Sequence, residues 1–310
     1  MTRFTVSAPA SSANLGAGFD AVALALELRM TARVRVLPPG AVPVWSYGGE
    51  CAPTHDAIRT CIETAARRMI ADVPPLEVAL DNAIPLGAGL GSSAAAYALG
   101  AAIGDRLRAA DRDASRESAL GRDDRARVVA ELEGHPDNAL AAWHGGAIVA
   151  ALGDDGLTYA RFAPPELDAV VAVPELTLAT ADARALMPET YTREDAVHNV
   201  QRAALLGAAL ASGRVDLLRA AVRDRLHQPY RAEAVPGLEE MLALDDPELV
   251  AVALSGAGPS VLALVRAGAG GAHRRIGAAL EAIFRRHGIR SRILTPALAS
   301  HGVTIASART

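Results

Sequence analysis

Three alternating glycines form the first pattern in the sequence that could do chemistry. They belong to a run that follows a strand-like stretch and opens into a helical one: Pro85-Leu86-Gly87-Ala88-Gly89-Leu90-Gly91-Ser92-Ser93-Ala94-Ala95. Glycine allows positive φ and lets an anion approach the backbone closely. Ser92 or Ser93 is placed to cap the helix, whose first N–H groups point toward the loop. A plain glycine turn before a capped helix is the alternative, but the eleven-residue pattern favours a phosphate site.

A second glycine loop, Ser255-Gly256-Ala257-Gly258-Pro259-Ser260, separates two apolar stretches. Taken alone, this loop is equally consistent with a tight hairpin turn. Together with the first loop, it is expected to form a second wall of a nucleotide site, with Gly256 and Gly258 beside the nucleotide.

Acidic and polar side chains cluster in the stretch Glu131-Leu132-Glu133-Gly134-His135-Pro136-Asp137-Asn138. Residues two apart on a helix do not share a face, so at most one of the two glutamates points at a metal ion. A lone histidine is more often structural, and Asp137 in a first helical turn is also explained by the helix dipole. Together, at a corner between two helices, these groups are suited to reach both Mg²⁺ and a substrate hydroxyl.

The composition limits how phosphate groups can be bound. The chain has 310 residues and a formal net charge of -4, and all 31 basic residues are arginine. Without lysine there is no Schiff base, no Walker-type phosphate loop and no protein-kinase lysine. Nucleotide phosphates must therefore be bound by backbone N–H groups, helix dipoles, arginine or metal. Aromatic residues at 4 % and a mild acidic balance argue against nucleic-acid binding.

Features of secreted, zinc-binding or membrane proteins are missing from the sequence. The two cysteines are too few for a disulfide framework or a zinc site. The first residues lack the pattern of a signal peptide. Glycine, proline and serine interrupt the longest apolar stretch, 249–265, which is typical of two strands and a loop rather than of a membrane span. We therefore expect a cytoplasmic protein without a membrane partner.

The surrounding pattern predicts the elements that position these groups. Residues 4–8 alternate like a strand before a small-residue loop at 9–20, and two further strand-like runs follow. A helix is expected at 92–108, and apolar strands at 249–254 and 261–266. Helices and strands are interleaved irregularly, which predicts an α+β fold rather than a doubly wound parallel sheet.

The length predicts two domains, since a domain has roughly 100–200 residues. The glycine- and aspartate-rich turn at 153–156 is the natural boundary. We therefore place the division between residues 1–157 and 158–310.

The combination of motifs resembles a known superfamily, the GHMP kinases, which have this glycine–serine loop and a distant S-G-x-G-P-[ST] loop but no Walker lysine. Four stretches, one of them shared with the acidic cluster, resemble homoserine kinases in particular: Ala8-Pro9-Ala10-Ser11-Ser12-Ala13-Asn14-Leu15-Gly16-Ala17-Gly18-Phe19-Asp20, Glu133-Gly134-His135-Pro136-Asp137-Asn138, Thr180-Ala181-Asp182-Ala183-Arg184 and Gln228-Pro229-Tyr230-Arg231. The matches keep the family's order from residue 5 to about residue 265. The resemblance implies a GHMP kinase fold, with an N-terminal nucleotide-binding α+β domain and a ferredoxin-like C-terminal α+β domain.

The resemblance also implies an activity and its cofactors. Homoserine kinases transfer the γ-phosphoryl group of ATP to the side-chain hydroxyl of L-homoserine, with Mg²⁺, in threonine biosynthesis. Residues 85–95 would cradle the ATP phosphates through backbone N–H groups, with Ser92 and Ser93 near the phosphates and the metal. Glu131 and Glu133 both qualify as the acidic metal ligand, and Glu131 is preferred.

Substrate contacts follow from the same resemblance. Asp20 would offer its carboxylate to the substrate ammonium, with Asn14 beside it, and Asn138 would hold the reacting hydroxyl. Arg184 and Arg231 would grip the substrate carboxylate. Arginine suits that role because its planar guanidinium matches a carboxylate through two hydrogen bonds.

Three further residues complete the implied site. Thr180 would add a hydrogen bond to the substrate. In homoserine kinases the positioned hydroxyl attacks directly without a strong base, whereas some GHMP kinases use an aspartate. Asp137 therefore keeps an alternative role as a base, and His135 of the same turn is a catalytic candidate with it.

Two other functions are consistent with the motifs. Another GHMP small-molecule kinase, for mevalonate or an isoprenoid precursor, would give Asp20 and the two arginines less to do, because those substrates lack an α-ammonium group. A non-catalytic GHMP-fold ligand-binding protein would be expected to lose the phosphate loop or the acidic metal ligand, and both are present. Family members are often dimers, so the resemblance also implies a homodimer as one assembly state.

Overall fold

The computed structural model describes residues 2–50, 56–110 and 121–307. Within those ranges the strands form a seven-stranded sheet and a four-stranded sheet, and helices pack against both. The α+β class predicted from the irregular order of helices and strands is confirmed.

The larger sheet is built from the first half of the chain and from its last strand. Its strands are β1 (Arg3–Ala13), β2 (Val22–Val36), β3 (Val44–Gly49), β4 (Leu76–Asn82), β5 (Ala147–Gly153), β6 (Gly156–Phe162) and β11 (Thr304–Ser307). Neighbouring strands run in the order β11-β1-β2-β4-β3, while β5 also pairs with β2, and β6 pairs with β5. Every pair is antiparallel except β3 and β4, which are parallel.

Two layers of helices cover this sheet. They are α1 (Asp56–Met69), α2 (Ser92–Arg108), α3 (Arg122–Glu133) and α4 (Pro136–His144). Helices α2 and α4 contact β1 and β2, α1 packs on α2, and α3 packs on α4. A Cβ atom on Gly100 or Gly104 of α2 would overlap the backbone of α1 at Ile62 or Ala66, so these glycines let the two helices pack closely. Close packing holds the N-terminus of α2 at the end of the first glycine loop.

The smaller sheet has the antiparallel order β10-β7-β9-β8, which is the strand order of a ferredoxin-like domain. Its strands are β7 (Leu167–Pro174), β8 (Leu249–Leu254), β9 (Val261–Arg266) and β10 (Ser291–Leu294). Its helices are α5 (Thr180–Ala185), α6 (Arg193–Ser212), α7 (Leu218–Ala221), α8 (Gln228–Arg231), α9 (Leu238–Leu242) and α10 (Ala272–Arg286), with a single 3₁₀ turn at Val215–Leu217. No helix in the described part of the chain combines the length and the apolarity that a membrane span requires.

Several predicted elements are confirmed to the residue, including the helix at 92–108 and the strands at 249–254 and 261–266. The loop expected from residue 9 begins later, because β1 continues to Ala13. The last residues of β1 are small and buried, and the strand is in contact with helices α2 and α4. The two strand-like runs that follow form one continuous strand, β2.

The predicted division at 157/158 falls inside a paired strand. The turn at 153–156 joins β5 to β6, which pair along their whole length. A division by sheets would run between Phe162 and Leu167. Such a division would also assign the last strand, β11, to the N-terminal unit, since β11 pairs with β1.

Candidate active site

Both halves of the chain contribute to one cleft of about 270 Å³ that contains most of the predicted site residues. From the first glycine loop and the start of α2, the cleft is lined by Gly87, Gly89, Leu90, Gly91, Ser92 and Ser93. The other predicted residues in its wall are Asn14, Asp20, Glu133, His135, Asp137, Asn138, Thr180, Arg184, Arg231, Gly256 and Gly258. The structure therefore brings together residues that lie more than 200 positions apart in the sequence.

The first glycine loop turns its backbone toward the cleft through conformations that favour glycine. Gly87, Gly89 and Gly91 have φ values of 63°, 71° and 67°. Because α2 begins at Ser92, Gly91 is the N-cap and no described side chain caps the helix. The prediction that Ser92 or Ser93 caps α2 is therefore wrong. The first N–H groups of α2 remain open to an anion in the cleft.

The two glycine loops are packed tightly against each other. A Cβ atom on Gly89 would overlap the Ser255 carbonyl oxygen and lie 2.6 Å from that of Gly258. A Cβ atom on Gly256 would lie 2.9 Å from the Gly89 carbonyl oxygen. The Ser255 hydroxyl lies 2.8 Å from the same Gly89 oxygen and donates to it. The second loop thus forms a wall directly against the first.

A turn after β1 presents Asn14 and Asp20 in unusual backbone conformations. Asn14, Leu15 and Asp20 have φ values of 71°, 45° and 54°, a region that non-glycine residues rarely adopt. The buried side chain of Asn14 stabilises the turn: its Nδ2 donates to the Gly256 carbonyl at 2.7 Å, and its Oδ1 accepts the Asp20 backbone N–H at 3.0 Å. Asn14 therefore joins this turn to the second glycine loop.

Asp20 and Arg184, assigned to opposite charges of the substrate, form an ion pair with each other. Nη2 of Arg184 lies 2.9 and 3.1 Å from the two Asp20 carboxylate oxygens. The two side chains are 37 % and 46 % exposed, so the pair contributes little to stability and can exchange for substrate groups. The arginine also lies over the Phe19 ring, with Cζ 5.5 Å from its centroid. Thr180 begins α5, the helix that carries Arg184.

Arg231 is almost fully buried, at 2 % exposure, and burial lowers the pKa of its guanidinium. Its Nε donates to the Ala183 carbonyl at 3.3 Å, and its Nη1 donates to the Gly256 carbonyl at 3.1 Å and to Nδ1 of His227 at 3.2 Å. Nη2 lies 3.7 Å from the Met187 sulfur, a weak acceptor. All of these described partners are uncharged. The fork expected to grip a carboxylate therefore has Nη1 in use and Nη2 available.

Glu133 is the acidic residue of α3 that reaches the cleft. Its Oε1 accepts from the Ser93 hydroxyl at 3.1 Å, and its Oε2 accepts the His135 backbone N–H at 2.7 Å and lies 3.1 Å from the His135 ring nitrogen. This contact raises the pKa of His135. Glu131 is exposed and pairs with Arg68 at 3.1 Å, outside the cleft. Glu133 and not Glu131 faces the cleft, because residues two apart on a helix face different sides. The geometry therefore favours Glu133 over the preferred Glu131, and the metal ligand stays a prediction.

Asp137 and Asn138 occupy the first turn of α4 at the floor of the cleft. Oδ1 of Asp137 accepts the Asn138 backbone N–H at 2.7 Å, while its buried Oδ2 has no hydrogen-bond partner among the described residues. Burial raises the pKa of Asp137 to about 7. Oδ1 of Asn138 accepts from the Ser11 hydroxyl at 2.8 Å, so the amide nitrogen of Asn138 is the group left for a ligand.

The rest of the predicted nucleotide segment lies outside this cleft. Pro85, Leu86 and Ala88 line a neighbouring cavity of about 430 Å³, and Ala94 and Ala95 are fully buried in the core. In the described part of the chain, no three His, Cys, Asp or Glu side chains come together as a metal cluster. A Mg²⁺ ion here would need phosphate oxygens or water among its ligands.

Sequence reasoning missed four residues that shape the cleft: Ser11, Phe19, His227 and Ser255. All of them lie within or directly beside the motifs that were identified. Phe19 precedes Asp20 in a chain with only four phenylalanines, which could have drawn attention to it. The other three act through long-range contacts that no local pattern reveals.

Two family models match the chain. The GHMP kinases N terminal domain matches residues 56–146, and the GHMP kinases C terminal model matches residues 206–282. Among solved structures, a homoserine kinase from Cytophaga hutchinsonii has a TM-score of 0.83 at 24 % identity and covers 98 % of each chain. A galactokinase from Lactococcus lactis complexed with galactose has a TM-score of 0.64 at 13 % identity, covering 97 % of this chain and 95 % of its own. These structures show the fold.

Sequence relatives narrow the assignment. The homoserine kinase of Solibacter usitatus is 42 % identical over 310 residues and covers 98 % of each chain. That of Deinococcus radiodurans is 43 % identical over 267 residues, covering 84 % of this chain and 83 % of its own. With both GHMP models matched and relatives at this identity over nearly its whole length, the chain belongs to the homoserine kinase family of GHMP kinases.

Proposed function

We propose that the chain transfers the γ-phosphoryl group of ATP to the side-chain hydroxyl of L-homoserine and releases O-phospho-L-homoserine, a step of threonine biosynthesis. One observation carries the substrate assignment: the buried guanidinium of Arg231 lines the cleft, and all its described hydrogen-bond partners are uncharged. The relatives named homoserine kinase support the assignment.

A buried cation is usually paired with an anion, because removing a lone charge from water costs several kcal/mol or more. Arg231 has that need, and it lines a cleft that a small molecule can enter. A substrate carboxylate would accept from its Nη2 and lessen the cost of burying the charge. Arg184 is half exposed and pairs with Asp20 through Nη2. Once a substrate ammonium pairs with Asp20, Nη2 would be free to form a fork with Nη1 or Nε for the same carboxylate.

The opposite charge of an amino acid would find its partner in Asp20. Because Asp20 and Arg184 are already in contact, an ammonium and a carboxylate on neighbouring atoms of one substrate would replace their ion pair with two complementary ones. L-homoserine carries both groups on its α-carbon. Mevalonate has a carboxylate but no ammonium, and it would leave Asp20 unpaired.

The backbone of the first glycine loop fits a chain of phosphate groups. The loop has three positive-φ glycines and leads into the uncapped N-terminus of the 17-residue α2. A Cβ atom on Gly91 would overlap the Ser11 hydroxyl, so the space is narrow and lined by polar groups. A triphosphate would be held here by N–H groups and the helix dipole, with Gly256 and Gly258 as the facing wall.

Oxygen ligands for Mg²⁺ are present beside that loop. The carboxylate of Glu133 and the hydroxyls of Ser92 and Ser93 lie in the cleft wall, and Glu133 is already hydrogen-bonded to Ser93. Hard oxygen donors of this kind suit Mg²⁺, which usually binds one or two carboxylates together with substrate phosphates. When bound, the ion would neutralise phosphate charge during transfer.

The α4 corner would position the reacting hydroxyl. The amide nitrogen of Asn138 would donate to the homoserine hydroxyl oxygen, while Ser11 keeps the amide oriented through Oδ1. The new bond would form between that oxygen and the γ-phosphorus as the bond from the γ-phosphorus to the β–γ bridging oxygen breaks. ADP would leave with the bridging oxygen, and the hydroxyl proton would pass to solvent. Because the transition state is loose, alignment matters more than a strong base, so direct attack is sufficient without Asp137 as a base.

ADP release measured with homoserine, threonine, serine and mevalonate tests the proposal. We expect turnover with homoserine to exceed that with the other three, with O-phosphohomoserine identified as the product. Faster turnover with mevalonate than with homoserine would favour the alternative that the chain is a mevalonate or isoprenoid-precursor kinase. Binding of homoserine without ADP release would favour the non-catalytic alternative. Location in the cytoplasm and assembly as a homodimer stay predictions.

A further inference from the structure

His227 is a fully buried histidine that touches both sides of the substrate end of the cleft without lining it. Its Nε2 lies 2.9 Å from the Gly16 carbonyl oxygen, in the turn that carries Asp20. Its Nδ1 lies 3.2 Å from Nη1 of Arg231. Its ring stacks on Phe19, with centroids 5.1 Å apart and planes inclined by 27°.

These partners assign one protonation state to the ring. A backbone carbonyl only accepts hydrogen bonds, so Nε2 carries the proton that is donated to Gly16. A guanidinium only donates, so Nδ1 offers its lone pair to Arg231. A proton on Nδ1 would set two N–H donors against each other, with no acceptor between them. Burial also lowers the pKa of His227, which agrees with a neutral ring.

Asp224 is the acidic group closest to His227, but its contacts leave this arrangement in place. Its Oδ2 lies 3.5 Å from Nε2 of His227, farther than the Gly16 oxygen. That same Oδ2 accepts the backbone N–H groups of His227 and Gln228 at 2.9 and 2.7 Å. Asp224 therefore holds the start of α8, while Gly16 and Arg231 determine the ring's tautomer.

The tautomer determines which edge of Arg231 meets the substrate. Nη1 is occupied by Nδ1 of His227 and by the Gly256 carbonyl, and Nε by the Ala183 carbonyl. Nη2, whose described partner is the weakly accepting Met187 sulfur, is left for a ligand in the cleft. Phe19 supports the arrangement from one face, since Cζ of Arg231 lies 5.3 Å from its ring centroid.

We propose that His227 is a positioning residue: as the neutral Nε2–H tautomer, it uses Nδ1 to hold Nη1 of Arg231 and thereby directs Nη2 at the substrate carboxylate. This inference rests on the proposed function, because it takes the ligand of Arg231 to be the carboxylate of homoserine.

Two substitutions separate the contact of His227 with Arg231 from its contact with Gly16. In His227→Gln, the amide nitrogen takes the place of Nε2 and keeps the Gly16 contact, but the acceptor for Arg231 is lost. In His227→Asn, the amide oxygen takes the place of Nδ1 and keeps the Arg231 contact, but the donor to Gly16 is lost. A purely structural histidine would make both variants fail alike.

For His227→Gln we expect the homoserine KM to rise about tenfold, since a hydrogen bond that orients a charged group is lost. Its kcat and its ATP KM should stay within about threefold of the parent. His227→Asn should keep the homoserine KM within about threefold and show its defect as a lower Tm. An unchanged homoserine KM in His227→Gln, or an equal rise in both variants, would overturn the proposal.

A matched control and a carboxylate-free substrate sharpen the comparison. His144 is also buried and bonded at both ring nitrogens, to Arg122 and Tyr159, but lies outside the cleft. His144→Gln should lower Tm without a selective rise in homoserine KM.

A substrate without a carboxylate gives a second control. His227→Gln should turn over 3-aminopropan-1-ol, which is homoserine without its carboxylate, as the parent does. A defect of the same size on this substrate would contradict the proposal.

A measurement on the unsubstituted protein keeps the idea testable if a variant fails to fold. Long-range ¹⁵N NMR of the histidine side chains should show His227 as the Nε2–H tautomer at the pH of the activity assay, and a proton on Nδ1 would refute the proposal. Failure of the parent chain to phosphorylate homoserine would refute the proposed function instead. Normal parent turnover with an unchanged KM in His227→Gln would refute only the role of His227.

Discussion

Replacing Arg184 by lysine should weaken homoserine binding strongly while leaving the fold nearly as stable as before. The side chain is 46 % exposed, and its ion pair with Asp20 is of the surface type, which contributes about 0–1 kcal/mol to stability. Lysine keeps the positive charge but loses the planar fork and the stacking over Phe19. The effect should therefore appear in substrate binding.

The size of the effect follows from the contacts that the fork can make. Nη2 of Arg184 is bonded to Asp20, and once the substrate ammonium pairs with Asp20, Nη2 together with Nη1 or Nε can hold a carboxylate in two hydrogen bonds. Losing such a charge-assisted contact costs about 1.5–3 kcal/mol. Since about 1.4 kcal/mol corresponds to a factor of ten, the homoserine KM should rise between about tenfold and about a hundredfold.

The assay is ADP release at saturating ATP with homoserine varied, together with the ATP KM and thermal unfolding. Arg214→Lys is a matched control, because Arg214 forms a two-bond ion pair with Asp216 at 2.7 and 2.8 Å and lies outside the cleft. We expect no change in KM for the control. A homoserine KM within threefold of the parent for Arg184→Lys, or an equal rise in the ATP KM, would refute the reasoning.

Three further substitutions, one of them with a matched control, test other parts of the site. Glu133→Gln should raise the Mg²⁺ concentration for half-maximal activity about tenfold or more, whereas Glu131→Gln should leave it unchanged; equal effects in a Mg²⁺ titration would contradict the metal assignment. Asp137→Asn should retain measurable ADP release, and a complete loss with an intact fold would show that the carboxylate is a base. Because the raised pKa of Asp137 makes the parent lose stability as pH rises from about 4 to about 7, the same variant should gain stability relative to the parent over that window, by at most about 4 kcal/mol; unfolding curves at pH 4 and pH 8 check this sign. Gly91→Ala places a Cβ against the Ser11 hydroxyl at a positive φ, so the free energy of unfolding should fall by about 1–2 kcal/mol and the ATP KM should rise; normal values of both would exclude a tight phosphate cradle at this position.

Local sequence signals predicted the parts of the fold that depend on local physics. The glycine pattern and the apolar run after Ser92 placed the start of α2 correctly. Cap identity was missed because Gly91 adopts a left-handed conformation, which shifts the cap one residue before the serines. The preference for Glu131 over Glu133, which the geometry of the cleft does not favour, has a similar origin. The direction of the Glu131 side chain depends on how α3 is rotated about its axis and on the ion pair with Arg68 of α1. The spacing between Glu131 and His135 in the sequence indicates neither.

Features that depend on distant backbone atoms could not be predicted. The motif resemblance assigned Arg231 to the substrate, which stays a prediction, but it could not show that the carbonyls of Gly256 and Ala183 accept from Nη1 and Nε of Arg231. Every residue has a backbone carbonyl oxygen, so the sequence does not indicate which of these oxygens will accept a hydrogen bond from a distant side chain. The same limit applies to the ion pair between Asp20 and Arg184, which are separated by 164 positions.

The carbonyl of Gly256 joins the two halves of the proposed site. It accepts Nδ2 of Asn14 at 2.7 Å and Nη1 of Arg231 at 3.1 Å, so it touches both groups that shape the substrate end. The same loop packs against Gly89 of the phosphate loop so closely that a Cβ at either glycine would collide with the other loop. The loop proposed to bind phosphate and the arginine proposed to bind the substrate are therefore connected through the backbone of the second glycine loop. Phosphoryl transfer requires alignment of two substrates more than a strongly basic side chain, and a frame that fixes both sides through one loop supplies that alignment.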